Sequence, residues 1–233
     1  MKLSPCVVSL LDTDLYKFNM NQVMFHKHTN LNGTYIFKCR NKDVVFTEEM
    51  VEEINAQIDH LCTLSFTDEE LDYLGSLRFI KSDYVEFLRL WRPLRRYVHC
   101  FKADYYSLDN SEDEENIASG GMVLYVEGPM FSVMQFEIYL LEIVNEVYFR
   151  MKYDYISLVN SAKEKLVGKM NGFRADVYDF NFAEFGCRRR LSREWQDYAV
   201  KQLLYRHQCV GTSNVYLAMK YGCTPIGTYA HEY

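Results

Sequence analysis

The feature that most limits the fold is the alternation that begins after Gly172. Asp176 to Phe185 reads as a strand, Ser192 to Arg206 as a helix, and Cys209 to Gly211 as a short strand. Ser213 to Tyr221 reads as a helix ended by Gly222, and Thr224 to Thr228 as a strand. Strand and helix in strict turn are the signature of a parallel α/β layer, because parallel strands need a crossover between them. Function in such layers gathers where strands give way to loops and helix starts.

Three strand ends line up on that logic: Phe185 to Arg190, Gly211 to Asn214, and Gly227 to Glu232. Parallel neighbours would bring them to one rim. That rim offers an aromatic ring, several guanidinium groups, small hydroxyl residues at helix starts and one histidine, an inventory suited to a flat ring plus phosphates. Each feature alone also has a plainer reading, with Arg189 and Arg190 as a solvated cluster and Ser213 as an N-cap only.

The region before Gly172 has a different grammar. The apolar run Val7 to Leu11 leads into Asp12-Thr13-Asp14, which can cap a helix carrying Leu15, Phe18, Met20, Val23 and Met24. Gly33 to Arg40 reads as a strand. Helices follow from Thr47, from Thr67 with the Thr-x-x-Glu capping box, and from Ser82. Tyr97 to Tyr106 and Met122 to Glu127 read as strands joined by a solvated loop, Asp109 to Gly121, with the acidic run Ser111 to Glu115. Phe131 to Met151 reads as one central helix, apolar on almost every side and a candidate subunit interface, followed by a helix from about Ile156 to Met170. The expected organisation is an α+β domain over 1–172 and an α/β segment over 173–233.

Composition narrows the function classes. The chain has 233 residues, 48% hydrophobic, with a formal net charge of −6; this fits a globular protein and argues against duplex nucleic acid as a main partner. The seven cysteines show no CxxC or Cys/His metal spacing, so reduced thiols and a cytoplasmic location are expected. The opening residues lack an apolar signal core, and Glu137, Glu142 and Glu146 interrupt the longest apolar stretch, so no membrane partner is expected.

Four segments carry a resemblance: Leu10 to Lys17 (Leu-Leu-Asp-Thr-Asp-Leu-Tyr-Lys), Glu184 to Glu194 (Glu-Phe-Gly-Cys-Arg-Arg-Arg-Leu-Ser-Arg-Glu), Gly211 to Val215 and Gly227 to Glu232. In that order they closely resemble the nicotinate phosphoribosyltransferase family, from about residue 8 onward. The resemblance implies a type II phosphoribosyltransferase-like fold, with residues 173–233 as the first strands and helices of a parallel α/β barrel. Family members are close to twice this length, so the chain resembles their N-terminal part. The expectation is little or no activity from it alone.

The resemblance also implies roles. Such enzymes join nicotinate to 5-phosphoribosyl 1-diphosphate, giving nicotinate mononucleotide and diphosphate, with ATP (and Mg) used through a phosphorylated histidine in NAD salvage. Tyr16 resembles the tyrosine that reaches into the neighbouring subunit of a homodimer and stacks on the pyridine, and Phe185 the ring on its other face. Arg188 resembles the arginine that holds the phosphoribosyl substrate, Thr228 a threonine near nicotinate, and His231 the phosphorylated histidine. Offset stacking and a fork-shaped guanidinium suit those tasks. Ser213 stands where the nicotinamide branch carries an acidic residue, so a neutral side chain favours the acid as substrate.

No tightly bound cofactor or metal ligand is implied. His26, His28, His60, His99 and His207 lack an orienting partner in the sequence and receive no catalytic role, nor does Cys187. Two other readings are a non-catalytic fragment that forms dimers or binds a partner, and the decarboxylating quinolinate enzyme. The Asp-Thr-Asp-x-Tyr-Lys opening and the Gly-Thr-x-Ala-His ending resemble the nicotinate branch instead.

Overall fold

The computed structural model describes residues 3–103, 119–172, 180–206 and 208–228. The acidic run 111–115, His207 and His231 therefore lie outside the described residues. Among the described residues no helix is long and apolar enough to cross a membrane.

The N-terminal part starts with α1 (Leu15–Lys27) and β1 (Asn32–Ile36), followed by α2 (Glu48–Leu61), α3 (Asp68–Ser76) and α4 (Ser82–Leu90). Next come β2 (Val98–Lys102) and β3 (Met122–Pro129). The predicted caps form. Thr47 accepts from the Met50 N–H, and Thr67 with Glu70 makes the full capping box. β3 is central in an antiparallel sheet of order β1-β3-β2. β1 is shorter than the expected Gly33 to Arg40: the Phe37 N–H still reaches the Leu124 carbonyl at 2.9 Å, and by Cys39 the backbone N–H donates to the Ser119 hydroxyl at 2.6 Å.

The expected helix Phe131 to Met151 is divided. One turn, Met130–Val133, precedes Met134 and Gln135, and α5 (Phe136–Lys152) follows. Phe136, Leu140, Ile143 and Val147 repeat at helical spacing and are all buried in the main core with Ile54, Ile58, Leu88, Leu124 and Val126. α5 also carries Glu137, Glu142, Asn145 and Glu146, each of which has a partner in the later segment Arg188 to Arg193. α6 (Tyr155–Gly172) ends this part.

The α/β layer then takes the predicted order: β4 (Phe182–Glu184), α7 (Arg193–Leu204), β5 (Cys209–Thr212), α8 (Val215–Tyr221), β6 (Thr224–Pro225). Both strand pairs are parallel, in the order β4-β5-β6. β6 is shorter than the expected Thr224 to Thr228; Pro225 has no N–H to donate, and the Ile226 N–H continues the pairing, to the Thr212 carbonyl at 2.8 Å. Ser192 caps α7 and Asn214, rather than Ser213, caps α8; Gly222 ends α8 in the left-handed region at φ 62°.

Candidate functional site at the strand ends

Because β4, β5 and β6 run parallel, the segments after them emerge on one edge of the sheet, as the alternation predicts. The chain start closes over that edge. The Leu15 N–H donates to the Ser213 carbonyl at 2.9 Å, Val215 N–H to Thr13 O at 3.0 Å, and Tyr216 N–H to Leu11 O at 2.9 Å. Residues near 12 and near 214 therefore share one site although about two hundred positions separate them in sequence.

The three arginines after β4 have three different fates. Arg189 is exposed. Arg190 is 3% exposed and forks onto Asp12, Nη1 to Oδ1 at 2.7 Å and Nη2 to Oδ2 at 3.0 Å. It also donates to the Cys6 carbonyl at 2.8 Å and lies 3.3 Å from Glu142. Burial alone would lower its pKa, but Asp12 and Glu142 outweigh that and raise it. Two expectations from the sequence change here. Arg190 is not solvated, and Asp12 does not cap α1 but pairs with Arg190 and accepts from Asn214 Nδ2 at 2.7 Å. Asp14 occupies the N-cap position of α1 without a side-chain cap bond.

Arg188 is the member that faces outward. Its side chain is 45% exposed, and its guanidinium lies 5.4 Å from the centre of the Tyr16 ring, a cation-π approach. Its Nη1 donates to Glu137 Oε1 at 3.3 Å and its Nε is 3.8 Å from Asp14 Oδ2. The other Asp14 oxygen accepts from the Ser213 hydroxyl at 2.5 Å. Ser213 itself is fully buried, so its hydroxyl bears on the site through Asp14. Lys17, also buried, pairs with Glu137 and approaches the rings of Tyr16 and Tyr35 at 5.4 and 5.2 Å.

Tyr16 is 2% exposed and packs with Met20, Met134, Ile138 and Cys187 of its own chain. Arg188 and the Cys187 turn cover it from within. Tyr16 also borders a cleft of about 710 Å³ shared with Thr228, Gly227, Asn19, Arg78 and Phe79. Tyr16, Arg188, Ser213 and Thr228 are therefore brought into one neighbourhood. Phe185 stands at the end of β4, half exposed, beside Glu184, whose carbonyl accepts from the Ser213 N–H. His231 lies outside the described residues.

Burial shifts the acids beneath the site. Glu142 is pushed well up by burial, with Arg190 opposing. Glu146 is pushed up to about 7 by burial, against the pull of Arg150 and Arg190. Glu184 is raised by burial although Thr212 and Gln196 donate to it. Cys187 is raised far above an ordinary thiol by burial and by Asp14, which suits a packing role. Among the described residues no group of three or more His, Cys, Asp or Glu side chains is placed to hold a metal ion.

Comparison with known proteins decides the family. The N-terminal domain profile of nicotinate phosphoribosyltransferase matches residues 11–145, and the profile of the nicotinate phosphoribosyltransferase family matches residues 180–233. The chain belongs to the nicotinate phosphoribosyltransferase family. It is 40% identical to the nicotinate phosphoribosyltransferase of Acinetobacter baylyi, over all of this chain and 56% of that protein. It is 41% identical to that of Chromobacterium violaceum, with the same coverage. The crystal structure of nicotinate phosphoribosyltransferase from Porphyromonas gingivalis superposes with a TM-score of 0.80 at 28% identity, covering 97% of this chain and 54% of that one. The chain thus spans about half the length of the curated relatives it matches.

Glu137, Lys17, Asp12, Glu142 and Asn145 were not legible as site residues. The spacing of the glutamates in α5 showed only that they interrupt an apolar run. The adjacency of Asp12 and Asp14 to Tyr16 and Lys17, in one motif, was the one available hint.

Proposed function

We propose that this chain supplies the N-terminal part of a nicotinate phosphoribosyltransferase. In that reaction the pyridine nitrogen of nicotinate bonds to C1 of 5-phosphoribosyl 1-diphosphate. The C1–oxygen bond breaks, and diphosphate leaves with the electron pair. The observation that carries the reading is an outward-facing Arg188 over the ring of Tyr16, a residue that lines one cleft together with Thr228, in a chain of this family. A guanidinium fork suits phosphate oxygens, and it is already oriented. Tyr16 and Phe185 supply rings for the pyridine, and Ser213, being neutral, leaves the nicotinate carboxylate without added repulsion.

In the same reading β4, β5 and β6 are the first strands of a type II phosphoribosyltransferase-like barrel, with 1–172 as the N-terminal domain and 173–233 as the barrel segment. His231 accepts the phosphoryl group that couples ATP hydrolysis to synthesis, through a neutral ring nitrogen. Magnesium belongs to the ATP and diphosphate chemistry. Among the described residues no group of three or more His, Cys, Asp or Glu side chains is placed to hold it. A cytoplasmic homodimer completes the proposal.

The test is nicotinate mononucleotide formation from nicotinate, 5-phosphoribosyl 1-diphosphate and Mg-ATP. It is run on this chain alone and on this chain mixed with the remaining C-terminal part of the Acinetobacter baylyi relative. The expected result is little product alone and clear product in the mixture, lost on Arg188→Gln. Product from nicotinamide instead, or product undiminished by Arg188→Gln, would overturn the assignment.

A further inference from the structure

An arginine on a three-residue turn with nearly half its side chain exposed has many rotamers open to it, and each must be given up before it can grip an anion. Arg188 is instead held at three points. Its backbone carbonyl accepts from Asn145 Nδ2 at 2.6 Å, its Nη1 donates to Glu137 at 3.3 Å, and its Nε faces Asp14 at 3.8 Å. Asp14 lies beyond hydrogen-bond reach of it and is occupied by Ser213. The direct polar anchor of the guanidinium is therefore Glu137, two turns before Asn145 on α5.

A carboxylate beside an anion-binding arginine would by itself repel the anion. Here that charge is compensated, because the buried Lys17 pairs with Glu137 from the opposite side while its Nζ also lies over Tyr16 and Tyr35. Lys17, Glu137, Arg188 and Asp14 form a sequence of alternating charge around the Tyr16 ring, with no net charge among the four. We infer that Glu137, held by Lys17, is a positioning residue for Arg188, fixing its guanidinium over Tyr16 in the orientation that meets a phosphate or diphosphate oxygen. This rests on the reading of Arg188 given above.

The sign of one effect separates this from a merely electrostatic role. If Glu137 only repels, Glu137→Gln tightens anion binding; if it positions, the same change weakens it. The chain labelled with ¹⁵N at arginine shows the Arg188 Nε–Hε resonance, assigned by its loss in Arg188→Lys. In Glu137→Gln this resonance is expected to move into the envelope of free arginines, with hydrogen exchange about tenfold faster, the scale of one charge-assisted hydrogen bond. Inorganic diphosphate, titrated calorimetrically, is expected to bind about tenfold more weakly. Glu137→Asp, one methylene shorter, is expected to recover part of both effects.

Because Glu137→Gln leaves Lys17 buried beside a neutral partner, the double variant Lys17→Met, Glu137→Gln removes the pair together. It is expected to restore melting behaviour but not the Arg188 resonance. An unmoved resonance in Glu137→Gln, or tighter diphosphate binding, overturns the inference. If release of Arg188 is seen but diphosphate does not perturb the wild-type resonance, the positioning stands and the phosphate reading of Arg188 fails.

Discussion

Asp12 and Arg190 meet as a two-bond fork, 2.7 and 3.0 Å, with both side chains at most 2% exposed and 178 positions apart in sequence. Glu142 stands 3.3 Å from the same guanidinium, and Asn214 and Gln196 join it through Asp12 and Nη1. The fork ties the chain start to the turn after β4 and to the start of α8. It is thus the internal frame on which the outward-facing Arg188 is mounted, two residues away.

Arg190→Ala is expected to destabilise the chain by about 3–5 kcal/mol, because Asp12 and Glu142 are left buried without a cation. Arg190→Lys is expected to recover only a small part, since an ammonium cannot reproduce the fork onto Asp12 and the bond to the Cys6 carbonyl together. Urea unfolding followed by tryptophan fluorescence measures both. Equal stability of Arg190→Lys and wild type would show that charge alone suffices.

The carboxyl of Glu146 has a pH signature. Its folded-state pKa of about 7 lies above the ordinary 4.5, raised by burial. Ionisation is therefore disfavoured in the fold. The penalty is absent below about pH 4.5, grows between there and 7, and is complete above 7. Glu146→Gln removes this titration while its amide oxygen can still accept from the Arg193 N–H, bonded at 2.8 Å in the wild type. The stability of Glu146→Gln relative to wild type is expected to rise by roughly 1–3 kcal/mol from pH 5 to pH 8. A difference flat with pH would mean that Glu146 titrates normally.

Ser213→Asp tests the link between Ser213 and Asp14. The native hydroxyl donates to Asp14 at 2.5 Å in a fully buried position. A carboxylate there would face another with no donor between them, and one of the two would hold a proton at neutral pH. The variant is expected to lose about 2–4 kcal/mol at pH 8 and to recover in part at pH 5. Ser213→Ala, which only removes a donor, is expected to cost about 1–3 kcal/mol without that pH dependence. Thermal melts at the two pH values separate the cases, and a Ser213→Asp penalty independent of pH would show that Asp14 is not the group it meets.

The layer of parallel strands was legible because local signals carry it: alternating β and helical periodicity, Gly222 as a stop, and Ser192 as a cap. Tyr16, Arg188 and Thr228 were legible only as members of motifs, and their meeting depended on the parallel order of the strands. What sequence could not show was the polar face of α5. Glu137, Glu142 and Glu146 look like interruptions of an apolar helix, because the partners that tie them to the site, Arg188, Arg190 and the Arg193 N–H, lie about fifty positions away; only Arg150, one turn on from Glu146, is a local partner. Asp12 and Asp14 misled for the same reason. Their place before a helix suggests caps, whereas tertiary partners with stronger claims take both carboxylates.

Gly211 is the position at which the parallel sheet tolerates no side chain. Its φ of 153° lies in a region that disfavours L residues, and a Cβ there would stand 2.0 Å from the Thr224 carbonyl oxygen, on the paired strand. That atom is backbone, so relief requires β5 and β6 to separate, which withdraws Thr212 and Thr228 from the edge carrying Arg188. Gly211→Ala is expected to destabilise the chain by about 2–4 kcal/mol, through strain at one residue plus lost strand pairing. Gly222→Ala should cost only about 1 kcal/mol, because its left-handed φ is strained but nothing lies within 4 Å of the added carbon. Amide hydrogen exchange distinguishes them. Gly211→Ala should deprotect the Ile226 N–H, which bonds to Thr212 across the strands, while Gly222→Ala should leave it protected. Protection of Ile226 in both variants would show that β5 and β6 accommodate the methyl group without parting.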